Sequence, residues 1–148
     1  MFEFAYSVEL MVSHPTLDPT IITRTLGLTP SLHSKSGDDL YEADGKPRGR
    51  KALLSCWFCQ LHKRRALNAR HTPLDSFLAS WVEKLMPHSE LFRRINEEGG
   101  EVCFRIAWLA TRSYTTSVLT PKTLGECSRL GIRLEISVIV REPHGHNR

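Results

Sequence analysis

A chain of 148 residues, 41% hydrophobic, 8% aromatic and 24% charged, is long enough for one core and matches neither a disordered nor a fibrous composition. Its net charge of +4 is mild, favouring anionic partners without requiring one. The longest apolar run, Ala52 to Cys59, falls far short of the roughly 20 residues that a membrane-spanning helix needs, so no membrane partner is expected.

In Met1-Phe2-Glu3-Phe4-Ala5 an acid stands where a secretory leader carries basic residues. The alternation of Phe2, Phe4, Tyr6, Val8, Leu10 and Val12 with polar residues predicts a first strand with one buried face. After His14-Pro15, Leu17-Asp18-Pro19 supplies a capping acid and a proline for the first turn of a short helix, which Leu26-Gly27 stops. Thr29 to Arg50 holds Pro30, Gly37, Gly45, Pro47 and Gly49 among polar residues and reads as a long loop with a short strand near Leu40-Tyr41. Ala52 to Cys59, apolar on both faces, reads as a central strand.

Thr72-Pro73-Leu74-Asp75 predicts a capped helix carried by Phe77, Leu78, Trp81 and Leu85, with Pro87 interrupting it. A further helical stretch through Leu91, Phe92 and Ile95 ends at Gly99-Gly100. Glu101 to Ala110 alternates as a strand, onto which Tyr114 to Val118 pairs as a short hairpin partner. Leu119-Thr120-Pro121 opens a last helix, Leu130-Gly131 closes it, and Ile132 to Val140 alternates as the terminal strand. That strand lies either at the centre of the sheet or at an edge where it forms a homodimer.

The segments Leu17-Asp18-Pro19 to Leu26-Gly27-Leu28 and Leu119-Thr120-Pro121 to Leu130-Gly131-Ile132 echo each other, each between two strands. Together these features predict a single α+β domain over residues 1–142 and a flexible tail over 143–148. The expected fold is a mainly antiparallel sheet of four to five strands with helices on one side, a pseudo-duplicated βαβ, ferredoxin-like arrangement with an extra central helix.

The order of His14-Pro15, Leu17-Asp18-Pro19, Leu26-Gly27-Leu28-Thr29-Pro30, Gly37-Asp38, Pro87-His88, Glu98-Gly99-Gly100, Trp108 and the closing Leu119-Thr120-Pro121 to Leu130-Gly131-Ile132 resembles the bacterial domain-of-unknown-function family 4279, from about Tyr6 to Val140. The family often has an aromatic residue shortly before Gly37, where this chain has Ser34-Lys35-Ser36. It brings no catalytic residues to carry over. Related domains are discussed among immunity proteins of bacterial toxin systems, and by that association alone the resemblance implies a binding role.

Cys56, Cys59, Cys103 and Cys127 all sit in apolar stretches, as reduced thiols of a cytoplasmic protein do. Cys56, Cys59 and His62 have the spacing of a zinc knuckle, but on a strand residues three apart point to opposite faces, so neither metal nor another cofactor is expected. Lys46, Arg48, Arg50 and Lys51 precede the second strand and Lys63, Arg64 and Arg65 follow it, a candidate cationic surface for phosphate backbones. Asp38 and Asp39 lie beside the first group, which favours a solvated surface of mixed charge. His14 and His88 adjoin prolines at element boundaries, positions suited to turns and caps, and no Gly-x-Ser-x-Gly elbow is present. The expectation is a non-catalytic module with a protein partner, with nucleic-acid binding second and a small metal protein or enzyme third.

Overall fold

The computed structural model describes residues 4–110 and 115–140. The first element is strand β1 (Phe4–His14), whose alternation buries Tyr6, Val8, Leu10, Val12 and His14 on one face. Helix α1 (Pro19–Leu26) follows. The Asp18 carboxylate caps it by accepting from the Thr20 N–H at 3.0 Å, and Gly27 closes it with φ at 65°.

Between this helix and the next the chain forms β2 (Leu32–Ser34), β3 (Asp39–Tyr41), β4 (Pro47–Lys51), β5 (Ser55–Gln60) and the two-residue β6 (Leu67–Asn68). Helix α2 (Leu74–Leu85), a 3-10 turn at Met86–His88 and helix α3 (Ser89–Glu97) lead into β7 (Glu101–Ala110). Helix α4 (Pro121–Arg129) is capped by Thr120, which accepts from the Thr123 N–H at 3.3 Å, and Leu130 and Gly131 lead into β8 (Ile132–Val140).

Among the described residues the main sheet has six strands, in the order β2-β5-β1-β7-β8, with β6 beside β1. The pairs β2–β5, β5–β1, β6–β1 and β1–β7 are antiparallel, and β7–β8 is parallel. The sheet is thus mainly antiparallel, with six strands rather than the four to five expected. The ferredoxin-like duplication is not confirmed by this topology, whose central strands β1 and β7 are antiparallel. β1 and β2, which flank α1, run parallel with β5 between them, whereas β7 and β8, which flank α4, are parallel and adjacent.

Three further expectations are corrected. The Thr29 to Arg50 segment holds more than the short strand expected near Leu40-Tyr41, which is β3: β2 joins the main sheet, and β4 pairs with β3 in a separate two-stranded arm. The turn of that arm is closed by Gly45 at φ 84° and by a bond from the Glu42 N–H to the Lys46 carbonyl at 2.7 Å. The second strand begins at Ser55, not Ala52; Leu53 is 90% exposed and belongs to the bend before it. Thr72 does not cap α2. Pro73 holds that position without a side-chain bond, and the Thr72 carbonyl instead accepts the Tyr6 hydroxyl at 2.6 Å. Of the expected hairpin partner at 114–118, residue 114 lies outside the described residues and 115–118 form no strand; the tail over 143–148 also lies outside them.

The core fills one side of the sheet. Tyr6, Val8, Leu10, Val12, Trp57, Phe104 and Ile106 meet Leu78, Val82, Leu85, Phe92 and Ile95 of the helices in one apolar cluster. The Trp57 indole N–H donates to the Thr23 hydroxyl at 3.0 Å, tying α1 to β5. No helix among the described residues is long and apolar enough to cross a membrane.

Candidate binding face

Because strand side chains alternate, the residues between the core positions all point away from the helices. The register aligns them in rows. Leu32, Phe58, Met11, Cys103 and Arg133 form one row from β2 to β8, and Gln60, Glu9, Arg105 and Glu135 form the next. The first is mostly apolar at the β2 end, where Leu32 is 63% exposed. The second carries charges of alternating sign.

Arg105 lies 3.4 Å from Glu135 and 3.8 Å from Glu9, and Arg133 lies 3.0 Å from Glu101 and 4.0 Å from Glu135. The Arg105 guanidinium also lies 6.0 Å from the Phe58 ring centroid. Five charged side chains from three strands thus form one connected ladder over the helix-free face. Each pair is partly solvated, and its worth is in fixing side-chain positions more than in stability. None of the five stood out in sequence, where each is one polar position of an alternating strand; the signal available was the sign alternation once the strands are aligned.

At one end of this face the β3–β4 arm overhangs a hollow of about 330 Å³ lined by Ser34, Leu40, Arg50, Lys51, Ala52, Leu53, Leu54 and Cys56. Ser34 and Cys56 are register partners on the helix-free side, so the hollow continues the apolar row through Phe58 and Leu32. A second hollow, about 460 Å³, lies on the helix layer between α3 and the α4–β8 turn. There Asn96 donates to the Phe92 and Gly131 carbonyls at 2.9 and 3.1 Å, and Arg93 is engaged by Glu90 and Glu97.

The candidate charged residues fall into two separate groups. In the arm, Lys46 lies 3.6 Å from Asp44, Arg48 3.3 Å from Glu42 and Lys51 3.1 Å from Asp39. Asp38 accepts the Lys35 N–H at 2.8 Å, and Arg50 lines the hollow. Lys63, Arg64 and Arg65 are exposed in the bend beyond the far end of β5, and that strand's length separates the two groups by roughly 17 Å. Acids of the arm thus hold three of its four cations.

Cys56 and Cys59 stand on opposite faces of β5, as a strand requires. Cys59 is buried and donates to the Thr29 carbonyl at 3.4 Å, and burial pushes its thiol up, as it does those of Cys103 and Cys127. Each is thereby a weaker nucleophile at neutral pH. Both nitrogens of His62 are engaged: Nε2 accepts the Val8 N–H at 3.1 Å, and Nδ1 lies 2.5 Å from the Arg64 carbonyl oxygen, to which it donates. The Tyr6 hydroxyl is pushed up to about 12 by burial.

His14 is the one buried histidine in a charged contact among the described residues, with Nε2 2.7 Å from a Glu98 carboxylate oxygen. Its Nδ1 accepts two backbone N–H groups, from Thr16 at 2.9 Å and Leu17 at 2.8 Å. The ring is therefore protonated on Nε2 alone and donates that proton to Glu98. Both nitrogens are used in holding the β1–α1 turn to the end of α3, a turn role like the one its neighbouring proline suggested.

No curated protein and no solved structure matches the chain. The sequence profile described as Domain of unknown function (DUF4279) matches residues 4–141, and the chain belongs to that family.

Proposed function

We propose that the chain is a non-catalytic protein-binding module of a bacterial cytoplasm, and that it binds its partner with the helix-free face of the sheet and the overhanging β3–β4 arm. The observation that carries this reading is the pairing, on one uncovered face, of an apolar strip (Leu32, Phe58, Leu53, Leu54) with a fixed ladder of both charge signs. Protein interfaces combine an apolar centre with a polar rim in this way. The specific form we favour is an immunity-type protein that covers the working surface of a toxin; the net charge of +4 makes a strongly cationic toxin a poor match.

The test is co-purification with the product of a neighbouring gene, followed by binding measurements on exposed-site variants. Leu53→Lys and Leu32→Lys should weaken the complex at least tenfold, while Glu83→Lys on α2 should leave it unchanged. Equal affinity for all three would refute the assignment of this face. Nucleic-acid binding through Lys63, Arg64 and Arg65 is the alternative outcome, and it would be recognised by affinity that falls steeply with salt and is lost on charge reversal at Arg64 and Arg65.

A further inference from the structure

Strand β8 is a long free edge of the sheet: among the described residues its strand partner is β7 alone. The opposite edge, β2, has three residues. Sheet edges are commonly guarded by charge, proline, bulges or brevity. In β8 the charges are confined to the first half, where Glu101 and Arg105 draw Arg133 and Glu135 back over their own sheet. From Ile136 to Val140 the edge carries no charge, and Ile136, Val138, Ile139 and Val140 are 53%, 62%, 48% and 68% exposed. Trp108, beside Val138 in register, stacks on Phe4 and Tyr6 of β1, on its other side.

We infer that this segment pairs antiparallel with the same segment of a second copy, about a two-fold axis at Val138. In such a pairing each residue faces the one equally far beyond the axis. Val138 meets Val138 and Ile136 meets Val140 on the helix-bearing side, and Ser137 meets Ile139 on the other. The helix-side pairs are all β-branched, the kind that stabilises neighbouring strands.

Charge selects this register. An axis at Glu135 sets that carboxylate against its own copy, one at Ile136 sets Arg133 against Ile139, and one at Ser137 sets Glu135 against Ile139. An axis at Leu134 matches Arg133 with Glu135 but leaves Val138 to Val140 uncovered. With the axis at Val138, eight half-exposed apolar side chains are covered, on the order of 400 Å² of side-chain surface. With the backbone ladder this stays below the roughly 1,200 Å² of standard interfaces, in the weak and transient class, so the dimer should be populated only as concentration rises.

Sedimentation equilibrium of the full chain over roughly 5 to 200 µM, which brackets the range expected of so small an interface, tests the pairing. The mass should rise from 16.9 kDa towards twice that value. Val138→Lys should hold it at the monomer value across the range. Val138→Cys should cross-link under mild oxidation beyond the wild-type background, because facing Cβ atoms lie about 4.5–5.5 Å apart, near disulfide reach. Ser137→Cys alone, facing Ile139, should not. A wild-type chain that stays monomeric, a Val138→Lys chain that associates equally well, or a Val138→Cys chain that fails to cross-link would overturn the inference; the last holds even if the lysine variant misfolds.

Discussion

Helices α1 and α4 are built to the same local plan, each with a polar cap, a proline in the first turn and a glycine just beyond the last. The strands around them nonetheless sit differently: β1 and β2 run parallel with β5 between them, whereas β7 and β8 run parallel side by side. The cause lies after the glycine. Gly131 leads straight into Ile132 of β8, and a strand reached through one helix and a short turn re-enters the sheet at the end where its predecessor began. Gly27 likewise leads within a few residues to β2, which runs parallel to β1, but the β3–β4 arm that follows brings the chain back as β5, antiparallel to both and seated between them. Capping is thus a local code shared by both units, whereas the neighbour each strand takes depends on the chain that follows.

The two halves also differ in how tightly their turns are packed, and substitutions expose this. The largest effect is expected at Gly100, which enters β7. A Cβ there would stand 2.5 Å from the Ser13 carbonyl oxygen and 2.8 Å from Ile95 Cγ2, so Gly100→Ala should cost about 3 kcal/mol or more in denaturant unfolding. On the side of the first crossing, His14→Ala leaves the Thr16 and Leu17 N–H groups without their acceptor and should cost about 2–3 kcal/mol.

The matched pair of helix-ending glycines sharpens the contrast. Gly131 has φ at 68° and a Cβ there would stand 2.5 Å from Asn96 Nδ2, so Gly131→Ala should cost about 2 kcal/mol through left-handed strain and the displaced amide. Gly27 has φ at 65° with nothing within 4 Å, and Gly27→Ala should cost about 1 kcal/mol from strain alone. In an Asn96→Ala background the two costs should converge; a persistent gap would show that Asn96 is not its source.

The smallest expected effect is in acid. The Thr20 backbone N–H chiefly lowers the Asp18 carboxyl, and Arg94, then His14, lower that of Glu98. A carboxyl depressed on folding stabilises the protein above its unfolded value, here 3.8 for Asp18 and 4.5 for Glu98, and loses that contribution as pH falls through the lower folded value. The melting temperatures of wild type and Glu98→Gln should therefore differ most near neutrality and converge below pH 4, about the carboxylate range. A constant difference would mean that the carboxylate's charge is not what counts.

Much of the frame was legible in sequence because β1, β7 and β8 each alternate, and because Asp18, Thr120 and the glycines beyond both helices mark their ends. β4 was hidden, although β3 was legible near Leu40-Tyr41, because the arm is solvated on both sides and leaves little apolar period to read. Thr72 misled because a good capping residue one position too early has its carbonyl taken by Tyr6 instead. The candidate face was the least legible part. Its ladder joins Glu9, Arg105 and Glu135 from strands far apart in the chain, so it exists only once their register is fixed.

The most direct test of the proposed binding face is backbone hydrogen exchange of the chain, free and in complex with its co-purified partner. Binding through the uncovered side predicts added protection at Leu32–Ser34, in the β3–β4 arm and at Leu53–Phe58, with the outward turns of α2 and α3 unchanged. Protection gathered on α2 and α3, with the arm exchanging as freely as before, would contradict it.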